Sequence, residues 1–235
     1  MSAKQSTAIT TAKPRRAIII GGSLGGLFAG NLLRQAGWSV DIYERSPRDL
    51  DSRGRGIVLQ PQVVEAFRQS GLDVSSLDLG VRSENRLVLR PDGSLQSKHH
   101  APQMQTSWSL IYSALRKAFG DEHYHQGNAL SAIEQPAPGR VIARFDNGHE
   151  AETDLLVGAD GGSSTVRRLI WPAEVPSNAG YVAWRELVPE AEVPELARKI
   201  LLGDFGFANN RHSHILGYLV PGEGNDTRPT ICPST

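Results

Sequence analysis

Two glycine-rich turns contain the residues with the clearest chemistry, and the first lies at residues 21–26. It reads Gly-Gly-Ser-Leu-Gly-Gly and follows a short apolar run at 17–20. The first glycine permits a tight turn, the last permits close helix–sheet packing, and the amides between them can approach a pyrophosphate. A serine at 23, where the fingerprint has glycine, is small enough to keep this approach. The pattern predicts an adenine-dinucleotide site with these contacts: Gly21, Gly22, Ser23, Leu24 and Gly26. The alternative is a glycine turn without a ligand.

An acidic residue ends the next strand-like run, in which Val40 and Ile42 alternate with polar residues. The Glu44 carboxylate can accept hydrogen bonds from ribose hydroxyls and would repel a 2′-phosphate, which favours FAD or NAD over NADP. Arg45, together with Arg53 or Arg55, could neutralise phosphate charge. Any one of these three alone is more often a surface arginine, and Glu44 could be a solvated carboxylate at a strand end.

The second turn reads Gly158-Ala-Asp-Gly-Gly-Ser-Ser-Thr-Val-Arg167 and contains the pattern D-G-x-x-S-x-V-R. In this it resembles the class A flavoprotein monooxygenases, the aromatic-ring hydroxylases. The resemblance implies that the first turn binds the ADP half of FAD and that Asp160 and Gly161 bridge the flavin pyrophosphate and the pyridine nucleotide. It also implies that Arg167 braces the turn or approaches phosphate. The alternative is an ordinary strand–turn–helix capped by Ser163.

Three further segments resemble the 2,6-dihydroxypyridine 3-monooxygenase-like branch of that family: residues 106–115, 179–185 and 215–222. This resemblance implies an aromatic-substrate pocket lined by Tyr181, Trp184 and Tyr218, although these residues could equally belong to a sheet core. Many relatives have an arginine at the position of Trp108, beside the flavin. Trp108 could stack there or lie in the core.

The resemblance has a gap. The family's third segment, a Gly-Asp followed by His and Pro that closes over the flavin ring, is not found. Residues 203–207 lie too early for it and are expected to form a turn. Since residues 226–235 also match nothing in the family, we expect a chain that is truncated at its C-terminal end.

The composition argues against several classes of partner and site. Twenty-five basic residues balance twenty-five acidic ones, so no net field favours nucleic acid or an anionic membrane. Cys232 is the single cysteine and no Cys/His cluster has zinc spacing, so neither a disulfide nor a metal site is expected. No apolar run has the length of a membrane span, and residues 1–14 have the polar composition of a disordered tail. The expected compartment is the cytoplasm.

The elements around the turns predict an α/β fold. Strands alternate with helices and are interrupted by hairpins at residues 91–93 and 146–148. The expected architecture is a Rossmann-like FAD-binding domain of the GR2 type at residues 15–175, with a parallel sheet plus an antiparallel β-meander. An incomplete α+β substrate domain would follow at 176–235. Single strands are expected at 151–157, 181–188 and 215–220.

The leading interpretation is FAD-binding, NAD(P)H-dependent hydroxylation of an aromatic or N-heteroaromatic ring. No catalytic residue can be named from the sequence. One alternative is a non-catalytic remnant that binds the ADP part of FAD weakly or not at all. Another is an NAD-dependent dehydrogenase, against which the Asp160–Gly161 turn argues. Because strands after Tyr181 would have exposed edges, we also expect self-association.

Overall fold

The computed structural model describes residues 15–50, 56–222, 224 and 226–228. In this part of the chain the strands are β1 (Arg16–Ile20), β2 (Ser39–Tyr43), β3 (Gly56–Leu59), β4 (Val81–Leu89), β5 (Leu95–Ser107), β6 (Tyr124–His125), β7 (Leu130–Ala137), β8 (Arg140–Phe145), β9 (Glu150–Thr153), β10 (Leu155–Gly158), β11 (Asp204–Asn210) and β12 (Ser213–Gly217). The helices are α1 (Leu24–Gln35), α2 (Pro61–Gln69), α3 (Trp108–Phe119), α4 (Thr165–Ile170) and α5 (Glu195–Leu201).

A four-stranded parallel sheet, in the order β10-β1-β2-β6, lies between two layers. Every residue of 17–20 is buried because side chains of a strand alternate between the two covered faces. Ala17 and Ile19 pack into the cluster that contains residues of α1, α2 and α3. Ile18 and Ile20 pack against the antiparallel sheet β7-β8-β9. The fold is therefore the expected α/β arrangement of a parallel sheet plus an antiparallel β-meander.

A second large sheet has five strands in the order β12-β11-β4-β5-β3. Strands β4 and β5 are the hairpin predicted around residues 91–93, and Gly93 takes the φ of +84° that its turn requires. Strand β11 joins this sheet by parallel pairing with β4. Strands from both sides of residue 175 thus share one sheet, while the division into two domains there stays a prediction.

Two expectations about strands after residue 175 were wrong. Residues 181–188 form no regular structure and are exposed, since this apolar-rich run has no partner strand in the described chain. Residues 203–207 are more than a turn: only Gly203 turns, with a φ of +79°, and β11 begins at Asp204. The Asp204 carboxylate accepts hydrogen bonds from both the backbone N–H and the side-chain amide of Asn85, at 3.1 and 2.6 Å, which holds β11 to β4.

Two further strands have other bounds than expected. The run 151–157 is two strands, because the chain passes at Asp154 from the meander to the parallel sheet. There the Asp154 carboxylate accepts a 2.7 Å hydrogen bond from the Arg16 N–H. The strand expected at 215–220 is β12, which begins earlier and ends at Gly217. Across the described residues, no helix is long and apolar enough to span a membrane.

Candidate dinucleotide site

The carboxyl ends of three neighbouring parallel strands bring both glycine turns and Glu44 to one edge of the sheet. Strand β1 ends at the first turn, β2 ends beside Glu44, and β10 ends at the second turn. Backbone hydrogen bonds join these strand ends, from the Gly21 N–H to the Tyr43 carbonyl at 2.8 Å and from the Ala159 N–H to the Ile20 carbonyl at 2.7 Å. Segments more than 130 residues apart therefore form one site, at the edge where open α/β sheets bind ligands.

The first turn has no room for side chains at Gly21, Gly22 or Gly26. A Cβ added at Gly26 would lie 1.8 Å from the carbonyl oxygen of Gly21, because α1 starts directly against the turn. A Cβ at Gly21 would lie 2.5 Å from the carbonyl oxygen of Ala159, and this residue has a φ of +105°. Gly25, by contrast, is exposed and faces open space. The turn thus packs closely on the second turn and leaves the start of α1 accessible.

The N-terminus of α1 has unsatisfied hydrogen-bonding groups on this open side. Ser23 is the N-cap residue, yet its side chain makes no capping hydrogen bond. The first backbone N–H groups of a helix have no partner within the helix, and the helix dipole favours an anion there. Ser23 and Leu24 are both partly exposed. A glycine cradle with free amides and a free hydroxyl fits the pyrophosphate of a dinucleotide.

Glu44 is buried, at 6% exposure, and its carboxylate is aimed at the turn. One oxygen accepts a hydrogen bond from the Gly22 N–H at 2.8 Å and the other accepts one from the Ser46 N–H at 2.9 Å. A carboxylate has about four acceptor positions, so it can also accept from ribose hydroxyls. Arg45 next to it is exposed, and Arg53 and Arg55 lie outside the described residues.

The second turn uses Asp160 as a cap for α4. Its carboxylate accepts hydrogen bonds from the N–H of Thr165 at 2.6 Å, from that of Val166 at 3.1 Å, and from the hydroxyl of Ser164. The N-cap residue is Ser164, whose hydroxyl accepts a hydrogen bond from the Arg167 N–H at 3.0 Å. The alternative interpretation of this turn had Ser163 as the cap. Asp160 and Ser164 together therefore accept from the first backbone N–H groups of α4.

The remaining residues of this turn lie at the surface or brace it. Gly161 is exposed and takes a φ of +80°, which favours glycine. The Arg167 guanidinium donates a 2.6 Å hydrogen bond to the Gly162 carbonyl. This contact is the bracing role that was one of the two alternatives for Arg167.

The three residues expected to line a substrate pocket lie in different environments. Tyr181 and Trp184 are 77% and 94% exposed, so a place in the sheet core is excluded for both. Tyr218 is half-buried and stacks on Phe205 with ring centroids 4.6 Å apart. Its ring lies against β3, where a Cβ added at Gly56 would be 2.7 Å from it. Tyr218 therefore packs on the five-stranded sheet.

Trp108 begins α3 and is half-buried. Its ring stacks on that of Tyr112, with centroids 4.8 Å apart and an interplanar angle of 12°. Trp108 is therefore neither fully in the core nor free of packing, because one face of its ring contacts Tyr112 and the side chain stays partly exposed.

Sequence reasoning missed two tyrosines behind the first turn. The Tyr124 hydroxyl donates a 2.9 Å hydrogen bond to the Gly22 carbonyl. The Tyr112 hydroxyl lies 3.4 Å from the Tyr124 hydroxyl and donates to the Asp49 carboxylate. Burial raises the pKa of both tyrosines, so both hydroxyls keep their protons at neutral pH. No local signal could have identified Tyr124, because it is 102 residues from Gly22.

Comparison with known proteins agrees with this geometry. The family model described as FAD binding domain matches residues 15–230. The chain is 35% identical to 2,6-dihydroxypyridine 3-monooxygenase of Paenarthrobacter nicotinovorans, over 92% of this chain and 54% of the relative. It is 28% identical to 6-hydroxynicotinate 3-monooxygenase of Pseudomonas fluorescens, over 90% of this chain and 57% of the relative.

A solved structure gives the same result. The structure of 2,6-dihydroxypyridine-3-hydroxylase from Arthrobacter nicotinovorans matches with a TM-score of 0.81 and 34% identity, over 91% of this chain and 53% of that one. The chain thus spans about half the length of the relatives that it matches. Together with the cradle, these matches identify FAD as the cofactor. The chain belongs to the FAD-binding domain family, among the flavoprotein monooxygenases similar to 2,6-dihydroxypyridine 3-monooxygenase.

Proposed function

We propose that this chain binds the ADP part of FAD within an NAD(P)H-dependent monooxygenase that hydroxylates a hydroxypyridine-like or phenolic ring. The observation that carries the proposal is the convergence of the first turn, Glu44 and the second turn at one sheet edge. When bound, FAD supplies the redox chemistry of such a reaction. The ring class comes from the relatives, two of which are named for hydroxylated pyridines.

Each part of the site has a proposed role. The amides at the start of α1 and the Ser23 hydroxyl bind the pyrophosphate, while the Glu44 carboxylate accepts from the ribose hydroxyls. The second turn contributes a contact on the flavin side, and Arg167 holds its backbone in shape. The residues that we propose as FAD contacts are Gly21, Gly22, Ser23, Leu24, Gly26, Glu44, Arg45, Arg55, Asp160, Gly161 and Arg167.

A specific observation favours a second candidate, a non-catalytic remnant that binds the ADP part of FAD weakly or not at all. Tyr181 and Trp184 are 77% and 94% exposed, so neither side chain lines an enclosed substrate site in the described part of the chain. Nothing in the relatives supports the dehydrogenase alternative, since those named above are a hydroxylase and two monooxygenases. A small aromatic substrate and a cytoplasmic compartment remain parts of the proposal.

Purified protein separates the two candidates. If the proposal is correct, the chain takes up FAD, shows a flavin absorption band, and oxidises NADH or NADPH faster when 2,6-dihydroxypyridine is added. Flavin uptake without stimulated oxidation supports the second candidate. A chain that cannot be reconstituted with FAD contradicts the first candidate and leaves the remnant.

A further inference from the structure

We propose that Tyr124 is a positioning residue of the first glycine turn: its hydroxyl holds the Gly22 peptide so that the following amides face the pyrophosphate. This inference rests on the proposed function, since it assigns Tyr124 a role in nucleotide binding. It concerns a residue on β6, the strand at the far edge of the parallel sheet from β10.

Gly22 is held by hydrogen bonds at both its N–H and its carbonyl. Its N–H donates to Glu44 and its carbonyl accepts from the Tyr124 hydroxyl, at 2.8 and 2.9 Å. Tyr124 is 6% exposed, so this hydroxyl is shielded from competing water. Loss of the hydroxyl would leave a carbonyl without its buried donor.

The contact with Tyr124 also sets the direction of the next amide, the Ser23 N–H. The described peptide bonds are trans, and the carbonyl and N–H of a trans peptide point in opposite directions. Since the Gly22 carbonyl points to Tyr124, the Ser23 N–H points away from it. Rotation of this peptide would break the bond to Tyr124. The tyrosine therefore selects one orientation of the first amide of the cradle.

Tyr124 is itself held in place by its neighbours. The Arg116 guanidinium lies over its ring, 4.0 Å from the centroid, and the Tyr112 hydroxyl is 3.4 Å from its own. A Cβ added at Gly22 would lie 2.1 Å from the Tyr124 oxygen. The tyrosine thus occupies the space that a side chain at position 22 would need.

The test compares Tyr124→Phe with Thr153→Val in the full chain. Thr153 is a matched control, because its buried hydroxyl also donates to a distant backbone carbonyl, that of Arg16 at 2.7 Å, at the opposite end of β1. Binding of ADP and of adenosine is measured by displacement of FAD, followed through flavin fluorescence. Thermal unfolding without ligand reports the structural cost of each variant.

We expect Tyr124→Phe to weaken ADP binding about fivefold, a factor typical of one lost hydrogen bond, and to leave adenosine binding unchanged. Thr153→Val should leave both affinities unchanged even where it lowers the melting temperature as much. Unchanged ADP binding in Tyr124→Phe overturns the inference, as does an equal loss for ADP and adenosine. A wild-type chain that binds neither FAD nor ADP instead contradicts the proposed function.

Discussion

The carboxylate of Glu44 accepts a 2.8 Å hydrogen bond from the backbone N–H of Gly22, which joins the end of β2 to the glycine turn after β1. A second bond, from the Ser46 N–H, occupies the other carboxylate oxygen. The acid that the sequence assigned to a ribose therefore also shapes the turn that would hold the pyrophosphate.

Glu44→Gln tests this relationship. Glutamine has one acceptor oxygen, so its NH₂ group would face one of the two backbone donors. We expect FAD affinity to fall about 10- to 100-fold, the range for hydrogen bonds to charged groups. Fluorescence titration with FAD measures it. Glu152→Gln, an exposed carboxylate paired with Arg140 in the meander, is the control and should bind like wild type. Equal affinities for both variants would contradict the assignment.

Gly26→Ala and Gly25→Ala form a matched pair on α1. A methyl group at 26 would clash with the Gly21 carbonyl, whereas one at 25 would enter open space. We expect the first to lower the free energy of unfolding by about 3 kcal/mol and the second to raise it by about 0.5–1 kcal/mol, because alanine favours a helix. Urea unfolding of the two proteins decides this. Similar stabilities would mean that the start of α1 does not pack on the turn as described.

Asp160→Asn separates capping from cofactor contact. The carboxylate caps α4 through two backbone N–H groups and one hydroxyl, so we expect a loss of about 1 kcal/mol in the free energy of unfolding without ligand. If the second turn also contacts the flavin side, FAD binding should weaken while ADP binding stays the same. Asp146→Asn in an exposed turn is the control. Equal weakening for both ligands would leave Asp160 with the capping role alone.

Asp41 predicts a pH dependence of stability. Desolvation by burial would raise its pKa, but hydrogen bonds from His125 and His123, each at 3.0 Å, and the charges of both histidines outweigh it and lower the pKa below the usual 3.8. Arg16 adds a cation 3.7 Å away. A carboxyl with a lowered pKa in the folded state stabilises above its unfolded pKa and loses this effect as the pH falls through the folded value.

The corresponding experiment compares wild type with Asp41→Asn by urea unfolding at several pH values. The wild type should be more stable at pH 6, and the difference should shrink as the pH falls below about 4. A difference that is constant or grows at low pH would show that the hydrogen bonds of Asp41 do not favour its charged form.

The exposed segment around Trp184 predicts self-association. Tyr181, Val182 and Trp184 are each at least 74% exposed in a part of the chain without regular structure, and apolar surface of this kind favours association. Sedimentation velocity should detect species larger than a monomer, and Trp184→Lys should reduce them. Asn178→Lys, which adds the same charge at an exposed polar residue, should not. A monomeric wild type at all concentrations would contradict the prediction.

Much of the fold and of the site follows from local patterns. The glycine turn, the acid after β2, the hairpin at 91–93 and the Asp-Gly turn each have signatures within a few residues, and all lie where they were expected. The two turns also meet, because the carboxyl ends of adjacent parallel strands share one edge of the sheet. Such features depend on backbone conformation and hydrophobic alternation, which a short sequence window contains.

Pairing over long distances could not be predicted in this way. The pattern at 181–188 is that of a strand, but a strand needs a partner with matching hydrogen bonds, and none is present there in the described chain. Conversely, residues 203–207 looked like a turn and begin a strand, because β4 lies alongside.

By itself, the sequence determined the class of cofactor: two glycine turns with an acid between them specify a dinucleotide cradle. The tertiary structure alone decided how that cradle is held. Tyr124 donates a hydrogen bond to Gly22 from 102 residues away, and the Asp160 carboxylate accepts hydrogen bonds from the start of α4. The physical reason is that a turn's conformational freedom is encoded locally, whereas the partners of its peptide groups come from whichever strands the fold places beside it.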